Sequence, residues 1–387
     1  MPVTLGCERL IASGALSGAR IGIVANPASV DTSFRHISDR VASESGATLV
    51  ALFGPQHGFY GDSQDNMVET AHSRDPRLDV PIYSLYSDTR EPTPNMLKEI
   101  DVVVIDLQDV GTRVYTYIYT MANCLRAAAR EGIRVVVCDR PNPIGGTAVE
   151  GPVLKTALRS FVGQFAIPLR HGMTIGELAR LFNDHFEIGA DLDVVPVSGW
   201  SRTDYLNNTG VPWIIPSPNL PTLDSATVYP GTVLIEGTTL SEGRGTTRPF
   251  ELVGAPWLEP ESLALQLNTL ELPGVHFRPV TFKPTFQKHA GQTCGGCQIH
   301  VIDRSSFKPV LCGVAFIVAC KRADRQRFGW LKPPYEYERE KMPIDILAGT
   351  DQFRLGIDNG RSAVDIAQDW QRELTTFHEV RKQFLLY

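Results

Sequence analysis

The sequence predicts an α/β protein organised around a parallel β-sheet. The prediction starts from two short apolar runs rich in β-branched residues, Val102–Ile105 and Ile133–Cys138. Such runs are typical of strands that are covered on both faces of a parallel sheet. Between them, apolar residues recur at helical spacing, at Ile118, Met121, Ala122, Leu125 and Ala129. A strand, a helix and a strand of these lengths indicate the βαβ unit from which parallel sheets are built.

The rest of the first half continues this alternation. Apolar runs that end at Gly, Pro or Asn predict strands, and a capping box of Thr174 with Glu177 predicts the start of a helix. A polar loop, with too few apolar residues for a helix or strand, covers Gln56 to Glu69. The other predicted elements are, in order, a strand at Ile21–Ala25, a helix at about His36–Ser45, a strand at Thr48–Phe53, a short strand at Ile82–Tyr86 and a strand at Leu192–Val197.

The pattern changes in the second half of the chain. Val211–Pro221 holds four prolines, which are incompatible with a central strand or a helix interior. We therefore place the crossing between two domains there, and predict a catalytic domain at 1–225 and a smaller α+β domain at 226–387. The later elements predicted are a strand at Thr232–Glu236, a helix at Pro260–Leu270, a strand at Gln298–Ile302, a helix or strand at Phe307–Arg322 and a terminal amphipathic helix from Ala363 to Phe377.

Composition narrows the class of protein. The 387 residues are 43% hydrophobic and 21% charged, as in an ordinary globular protein. A net charge of -6 argues against nucleic acid as the main partner, because phosphate binding needs a basic surface. No apolar run is long enough for a membrane span, and no basic segment with an apolar stretch marks a signal peptide at the N-terminus, so we expect a cytoplasmic protein.

Polar segments follow several of the predicted strands. Gln56-His57, Asp106–Arg113 and Asp139–Asn142 come directly after apolar runs, so in a parallel sheet they meet along one edge, where ligands bind. Arg170–Met173 is a further polar tip. Ser241–Pro249 adds Glu242 between glycines and two arginines, a pattern suited to binding an anion beside a carboxylate. Together these segments predict a cleft lined with carboxylates, amides and guanidinium groups.

Structural roles are the alternative for several of these residues. Asp106 and Asp139 are also placed to cap the turns that follow them, and Arg113 and Arg140 to neutralise those aspartates. Cys294-Gly-Gly-Cys297 with His300 is a weak zinc pattern, because no second ligand pair with suitable spacing exists, and buried cysteines are the better interpretation. Nucleotide-binding glycine motifs and the Gly-x-Ser-x-Gly elbow of α/β-hydrolases are absent from the sequence.

Six blocks of the chain resemble the NamZ-like exo-β-N-acetylmuramidases, a bacterial family long catalogued as a domain of unknown function. The resemblance runs from about Gly22 to Tyr387. It implies a Rossmann-like parallel-sheet N-terminal domain, a smaller α+β C-terminal domain, a cleft between them and release of N-acetylmuramic acid from the non-reducing end of peptidoglycan fragments. The blocks are Phe53–Gly61, Asp106–Arg113, Asp139–Pro143, Arg170–Leu178, Pro216–Pro221 and Tyr229–Trp257, the last with Glu242–Phe250.

This chain departs from the family at one position. Members carry Pro-Glu-His-Gly where this sequence has Pro55-Gln-His-Gly58, and glutamine has no proton to transfer. The acid then comes from Asp106, Asp109, Glu236 or Glu242, or the substrate's own N-acetyl group assists while Gln56 orients it. Retaining, inverting and substrate-assisted mechanisms all remain open. A non-hydrolytic carbohydrate-binding protein and a hydrolase of another anionic sugar are the alternative functions.

The resulting hypothesis assigns catalysis to Asp106 and Glu242, with Gln56 and His57 beside them. Muramic acid carries a lactyl carboxylate, which guanidinium groups recognise well, so arginines are expected in the binding site. No metal, nucleotide or other cofactor is expected, the partner is a sugar or muropeptide, and the sequence leaves the oligomeric state open. The predicted substrate-binding residues are Gln108, Asp109, Arg113, Tyr117, Arg140, Asn142, His171, Asn219, Glu236, Arg244 and Arg248.

Overall fold

A computed structural model describes residues 2–65 and 67–387. The strands are β1 (Arg20–Ala25), β2 (Thr48–Gly54), β3 (Ser73–Arg74), β4 (Pro81–Ser84), β5 (Val102–Asp106), β6 (Arg134–Cys138), β7 (Glu150–Val153), β8 (Pro168–Arg170), β9 (Leu192–Val195), β10 (Leu252–Ala255), β11 (Val275–Phe282) and β12 (Cys294–Val301). The helices are α1 (Gly6–Ser13), α2 (Ile37–Glu44), α3 (Pro94–Leu97), α4 (Tyr117–Glu131), α5 (Ile175–Arg180), α6 (Leu223–Thr232), α7 (Pro260–Asn268), α8 (Pro309–Ala323), α9 (Pro343–Ala348), α10 (Gln352–Asp358), α11 (Ala363–Asp369) and α12 (Gln371–Arg381).

The main sheet has seven strands in the order β3-β4-β2-β1-β5-β6-β9. Every pair in it is parallel except the antiparallel edge pair of β3 with β4. Counted along the chain, the six parallel strands lie in the order 3-2-1-4-5-6, which is the Rossmann arrangement. The predicted α/β class with a Rossmann-like sheet is therefore confirmed. The strand order reverses between β1 and β5.

Residues of the central strands point alternately to two cores. Val102 and Val104 of β5 pack in the core that α1 and α2 cover, while Val103 and Ile105 pack in the core that α4 and α5 cover. All five residues of β5 are buried. The apolar run is continuous because both faces of the strand are covered, as the sequence predicted.

The second half of the chain builds a three-stranded antiparallel sheet, β10-β12-β11, with α6, α7 and α8 beside it. Its core is continuous with the core on the α4 face of the main sheet, and Phe316 of α8 belongs to the same buried cluster as Val103. The predicted domain boundary at residue 225 falls inside α6. The division into 1–225 and 226–387 stays a prediction, since one apolar core joins both parts.

Three local predictions are resolved or corrected. The predicted strand at Thr232–Glu236 is a 3₁₀ turn, Val233–Gly237, that continues α6, and its apolar side chains are buried in the shared core. The ambiguous segment at Phe307–Arg322 is helix α8. The terminal amphipathic segment is divided at Trp370 into α11 and α12.

The cysteines are all buried with free thiols, as expected of core residues. Within residues 2–65 and 67–387, His, Cys, Asp and Glu side chains form no group of three that could hold a metal ion. Over the same residues, no helix has both the length and the apolar character needed to cross a membrane.

Candidate active site

A cleft of about 500 Å³, including the solvent at its mouth, lies where the sheet meets the second half of the chain. Its wall combines the loop after β2, the start of α4, the segment before α6, the turn after α6 and two loops of the C-terminal half. The lining residues are Gln56, His57, Val114, Tyr115, Thr116, Tyr117, Val162, Ser217, Asn219, Leu220, Tyr229, Val233, Glu236, Arg244, Phe250, Tyr335 and Glu336.

Six of the residues proposed from the sequence line this cleft together: Gln56, His57, Tyr117, Asn219, Glu236 and Arg244. They come from five separate segments of the chain. Sequence reasoning missed Glu336 and its neighbour Tyr335. The available signal was the alternation of tyrosine and glutamate in Tyr335-Glu-Tyr-Glu338 directly after Pro333-Pro334, in a stretch with no apolar periodicity.

Glu236 and Arg244 form an ion pair on the cleft wall. Arg244 Nη2 donates to Glu236 Oε1 at 2.6 Å, and the Tyr335 hydroxyl donates to Glu236 Oε2 at 2.8 Å. The two charged side chains are 7% and 8% exposed, so little water screens the pair. Both oxygens of Glu236 therefore accept hydrogen bonds, one from Arg244 and one from Tyr335.

Glu242 lies directly behind Arg244 and does not line the cleft. Its Oε1 is 3.3 Å from Arg244 Nε, and its Oε2 is 2.7 Å from Lys288 Nζ, an ion pair without hydrogen-bond geometry. Burial alone would raise the pKa of Glu242, but the two cations outweigh it and lower the pKa. Glu242 is thus an ionised anchor for Arg244, whereas the sequence had placed it among the catalytic residues.

Glu336 is the other carboxyl group on the cleft wall. It is 4% exposed and accepts a hydrogen bond from the Tyr86 hydroxyl through Oε2 at 3.3 Å. Burial raises its pKa to about 7, and the charge on Glu236 adds to the rise. The cleft therefore holds one carboxylate in an ion pair and one carboxyl that keeps its proton near neutral pH. Pairs of this kind are characteristic of acid–base sites.

His57 contributes a neutral imidazole to the cleft. Its Nδ1 donates to the carbonyl of Ser63 at 2.7 Å, which leaves Nε2 as an acceptor. Burial lowers the pKa of His57 to about 4, and the nearby Arg244 lowers it further. The ring is therefore uncharged at physiological pH.

Three lining residues hold the left-handed backbone conformation without being glycine. They are His57, Phe250 and Glu336, with φ of 71°, 67° and 45°. Each such residue costs roughly 1–3 kcal/mol, and strain of this kind concentrates at functional sites. The strain gives an independent reason to locate function in this cleft.

Aromatic side chains form the floor of the cleft. The rings of Tyr115 and Tyr117 lie 4.6 Å apart, and those of Tyr229 and Phe250 lie 4.7 Å apart. The Tyr117 hydroxyl donates to the Pro216 carbonyl at 2.7 Å, which ties α4 to the proline-rich segment. Asn219 on that segment donates to the Gln64 carbonyl at 3.0 Å. These contacts fix the apolar faces of the rings and the polar ends of the side chains around the open part of the cleft.

Asp106 and Arg140 do not line the cleft, in contrast to the sequence prediction. They pair with each other, fully buried, at 2.5 Å (Oδ1 to Nε) and 2.8 Å (Oδ2 to Nη2). Arg113 is also fully buried and donates to the carbonyls of Pro152, Ile167 and Leu347 at 2.6, 3.0 and 2.9 Å. All three side chains are committed to structural contacts, which is the alternative that the sequence left open.

The remaining predicted residues also serve the scaffold. Asp109 accepts from the Gly111 amide at 2.7 Å, and His171 Nε2 lies 3.2 Å from the same carboxylate oxygen. Gln108 donates to the Pro141 carbonyl at 3.1 Å and Asn142 to the Met173 carbonyl at 2.9 Å. Arg248 is exposed and pairs with Glu251 at 3.3 Å. These five lie outside the cleft because hydrogen bonds and ion pairs within the scaffold already engage their side chains.

Comparison with known proteins relates this fold and cleft to one family. The N-terminal and C-terminal models of the exo-beta-N-acetylmuramidase NamZ match residues 21–224 and 227–387. The chain is 47% identical over 372 residues to the peptidoglycan beta-N-acetylmuramidase NamZ of Bacillus subtilis (strain 168), covering 96% of this chain and 88% of that protein.

Solved structures agree with this assignment. Crystal structures of two DUF1343 family proteins from Bacteroides fragilis NCTC 9343 match with TM-scores of 0.90 and 0.77, at 34% and 28% identity. Each match covers 100% of this chain and 99% of the other. The chain belongs to the NamZ family of exo-β-N-acetylmuramidases.

Proposed function

We propose that this protein is an exo-acting glycoside hydrolase that releases N-acetylmuramic acid from the non-reducing end of peptidoglycan fragments, in a cell-wall recycling role. The family relationship gives the reaction class, since the Bacillus subtilis relative is named a peptidoglycan beta-N-acetylmuramidase. The observation that carries the proposal for this chain is the buried Glu236–Arg244 pair on the wall of the cleft.

Arg244 suits the feature that distinguishes muramic acid from other amino sugars, its lactyl carboxylate. A guanidinium group at a low-dielectric wall binds a carboxylate strongly, and its planar donors fix the orientation of the sugar. Glu236 and Glu242 hold the guanidinium in place on either side, at 2.6 and 3.3 Å. The substrate carboxylate adds a third anion to a cation that is already positioned.

The lining of the cleft suits a sugar. The tyrosines of the floor offer apolar faces to the sugar ring, and Gln56 and Asn219 offer amides to its hydroxyl and N-acetyl groups.

Glu236 is suited to act on the anomeric carbon of the sugar. Glycoside hydrolysis passes through an oxocarbenium-like transition state, and a carboxylate in a buried wall stabilises that developing positive charge. The same carboxylate can serve as nucleophile or as base toward water. The reaction also needs a proton for the leaving oxygen, which the amide of Gln56 cannot supply.

A chromogenic substrate tests the proposal directly. The protein should release 4-nitrophenol from 4-nitrophenyl β-N-acetylmuramide between about pH 5 and pH 8. The matched β-N-acetylglucosaminide, which lacks the lactyl group, should react more slowly. A folded protein that binds the muramide without releasing nitrophenol would instead support the alternative of a non-hydrolytic binding protein.

A further inference from the structure

Gln56 stands where the resemblance to the family implies a glutamate, and its amide is held by hydrogen bonds at both ends. Its Oε1 accepts from the Thr116 hydroxyl at 2.7 Å, and its Nε2 donates to the Tyr86 hydroxyl at 3.4 Å. The Tyr86 hydroxyl then donates to Glu336 at 3.3 Å. The donors thus run in one direction, from Gln56 through Tyr86 to Glu336.

Burial and a neighbouring cation fix the position of Tyr86 between Gln56 and Glu336. Its side chain is fully buried, and the guanidinium of Arg90 lies 4.3 Å from the centre of its ring. Arg90 also lies 4.7 Å from the ring of Tyr337, the residue after Glu336. Both rings pack against one cation, so the loop that carries Glu336 is fixed against the sheet edge.

The backbone conformation and the contacts of Glu336 fix its orientation. Its backbone is in the left-handed region, with φ of 45°, and its amide N–H donates to the Met67 sulfur at 3.3 Å. Its side chain lines the same cleft as Glu236. Because Oε2 receives the Tyr86 hydroxyl, the transferable proton belongs on Oε1.

We propose that Glu336 is the proton donor of the glycosidase reaction in this chain, and that Tyr86 and Gln56 are positioning residues that orient it. The inference rests on the proposed function and deepens it. A carboxylic acid at Glu336 makes a second carboxyl at position 56 unnecessary. Glutamine at position 56 fits this hydrogen-bonded arrangement, because its amide donates to the Tyr86 hydroxyl.

The proton balance of the step is simple. The Glu336 proton passes to the glycosidic oxygen as the bond between that oxygen and the anomeric carbon breaks, and the aglycone leaves as an alcohol. Water then adds its oxygen to the anomeric carbon, directly or after an intermediate, and returns a proton to Glu336. The net reaction is hydrolysis, and Glu336 ends as it began.

Two substrates with different leaving groups distinguish proton donation by Glu336 from a structural role of this residue. With the disaccharide in which N-acetylmuramic acid is β-1,4-linked to N-acetylglucosamine, Glu336→Gln should lower kcat by about 10²–10⁴-fold. With 4-nitrophenyl β-N-acetylmuramide, whose phenolate leaves without protonation, the loss should stay within about tenfold. The decline of wild-type kcat above about pH 7 should disappear in the variant. Glu340→Gln, an exposed carboxyl on the same loop, is the matched control and should behave as wild type.

Tyr86→Phe tests the positioning role. It removes a hydrogen bond that stabilises the Glu336 carboxylate, so the alkaline limb of the disaccharide profile should move to higher pH. A purely structural role for Tyr86 would lower activity without moving that limb. Disaccharide turnover by Glu336→Gln within about threefold of wild type, with an unchanged pH profile, would overturn the proposal while leaving the muramidase function intact.

Infrared spectroscopy gives a readout that does not depend on turnover. The difference spectrum of wild type minus Glu336→Gln should show the C=O stretch of a protonated carboxyl that titrates near pH 7. A Glu336 carboxyl already ionised at about pH 5 would overturn the proposal even if the protein hydrolysed no muramide.

Discussion

Asp106 and Arg140 form a doubly hydrogen-bonded ion pair, at 2.5 and 2.8 Å, that joins the carboxyl ends of β5 and β6. Arg140 also donates to the Val30 carbonyl at 2.9 Å, in the loop after β1. The pair therefore ties three neighbouring segments together at the edge of the sheet. Both oxygens of Asp106 are occupied by the guanidinium, so the carboxylate is suited to holding the scaffold rather than to moving protons.

Asp106→Asn should consequently affect stability and not chemistry. Breaking one side of a buried ion pair leaves Arg140 uncompensated and should cost about 3–5 kcal/mol of unfolding free energy. The kcat of the folded fraction should stay within about threefold of wild type. Urea unfolding combined with steady-state kinetics measures both effects.

Asp101→Asn is the control for this variant, since Asp101 lies at the other end of β5 in an exposed pair with Arg20. Its unfolding midpoint should hardly change. A large loss of kcat in Asp106→Asn with an unchanged unfolding midpoint would return Asp106 to the catalytic group.

The sheet could be predicted from the sequence because its determinants are local. Val102–Ile105 and Val135–Cys138 are apolar without a break and are followed by polar residues, which is sufficient to indicate buried parallel strands. Six cleft residues followed from polar tips and family blocks. The terminal helix is divided at Trp370 by a change in backbone direction that apolar spacing does not reveal.

The parts that could not be predicted depend on contacts between distant segments. Arg113 donates to three carbonyls that lie 39, 54 and 234 residues away in sequence, so no local pattern shows that it is structural. Glu336 is in a loop, and its hydrogen bond from Tyr86 spans 250 residues. Burial and the charge on Glu236 raise its pKa, and neither is visible before the chain folds.

Arg244 should determine the preference for muramic acid. Arg244→Lys keeps the positive charge but loses the planar set of donors, so kcat/KM for the muramide should fall by about tenfold to a hundredfold. The fall for the matched glucosaminide should be much smaller, because that substrate has no lactyl carboxylate. Parallel kinetics on the two nitrophenyl substrates measure the ratio.

Arg248→Lys is the control here, since Arg248 is on the same loop but exposed and outside the cleft. It should leave both kcat/KM values unchanged. Equal losses on the two substrates in Arg244→Lys would show that Arg244 does not recognise the lactyl group.

Gln56→Glu should bring little gain in rate. Because Glu336 already supplies the proton, disaccharide kcat should stay within about tenfold of wild type. A carboxylate at position 56 would add a negative charge near Glu336 and raise its pKa further, moving the alkaline limb upward. A gain of a hundredfold or more would instead show that the proton donor belongs at position 56.

Glu336→Gln should make stability less dependent on pH. The folded pKa of Glu336, about 7, lies above the usual 4.5 of a glutamate. Its contribution to stability is therefore fully present below about pH 4.5 and is lost as the pH rises through about 7. Glutamine stays neutral, so the variant should gain roughly 3 kcal/mol relative to wild type between pH 4.5 and pH 8.5. Urea unfolding at the two pH values measures this, and an equal difference at both would contradict the raised pKa.

Two isomeric disaccharides of peptidoglycan test the exo-β-N-acetylmuramidase activity most directly. One carries N-acetylmuramic acid at the non-reducing end of a β-1,4 bond to N-acetylglucosamine, and the other carries the same sugars in reverse order. Mass spectrometry of the products after incubation with wild-type protein should show free N-acetylmuramic acid and N-acetylglucosamine from the first and no cleavage of the second. Cleavage of both disaccharides at similar rates, or of neither, would contradict an exo-β-N-acetylmuramidase.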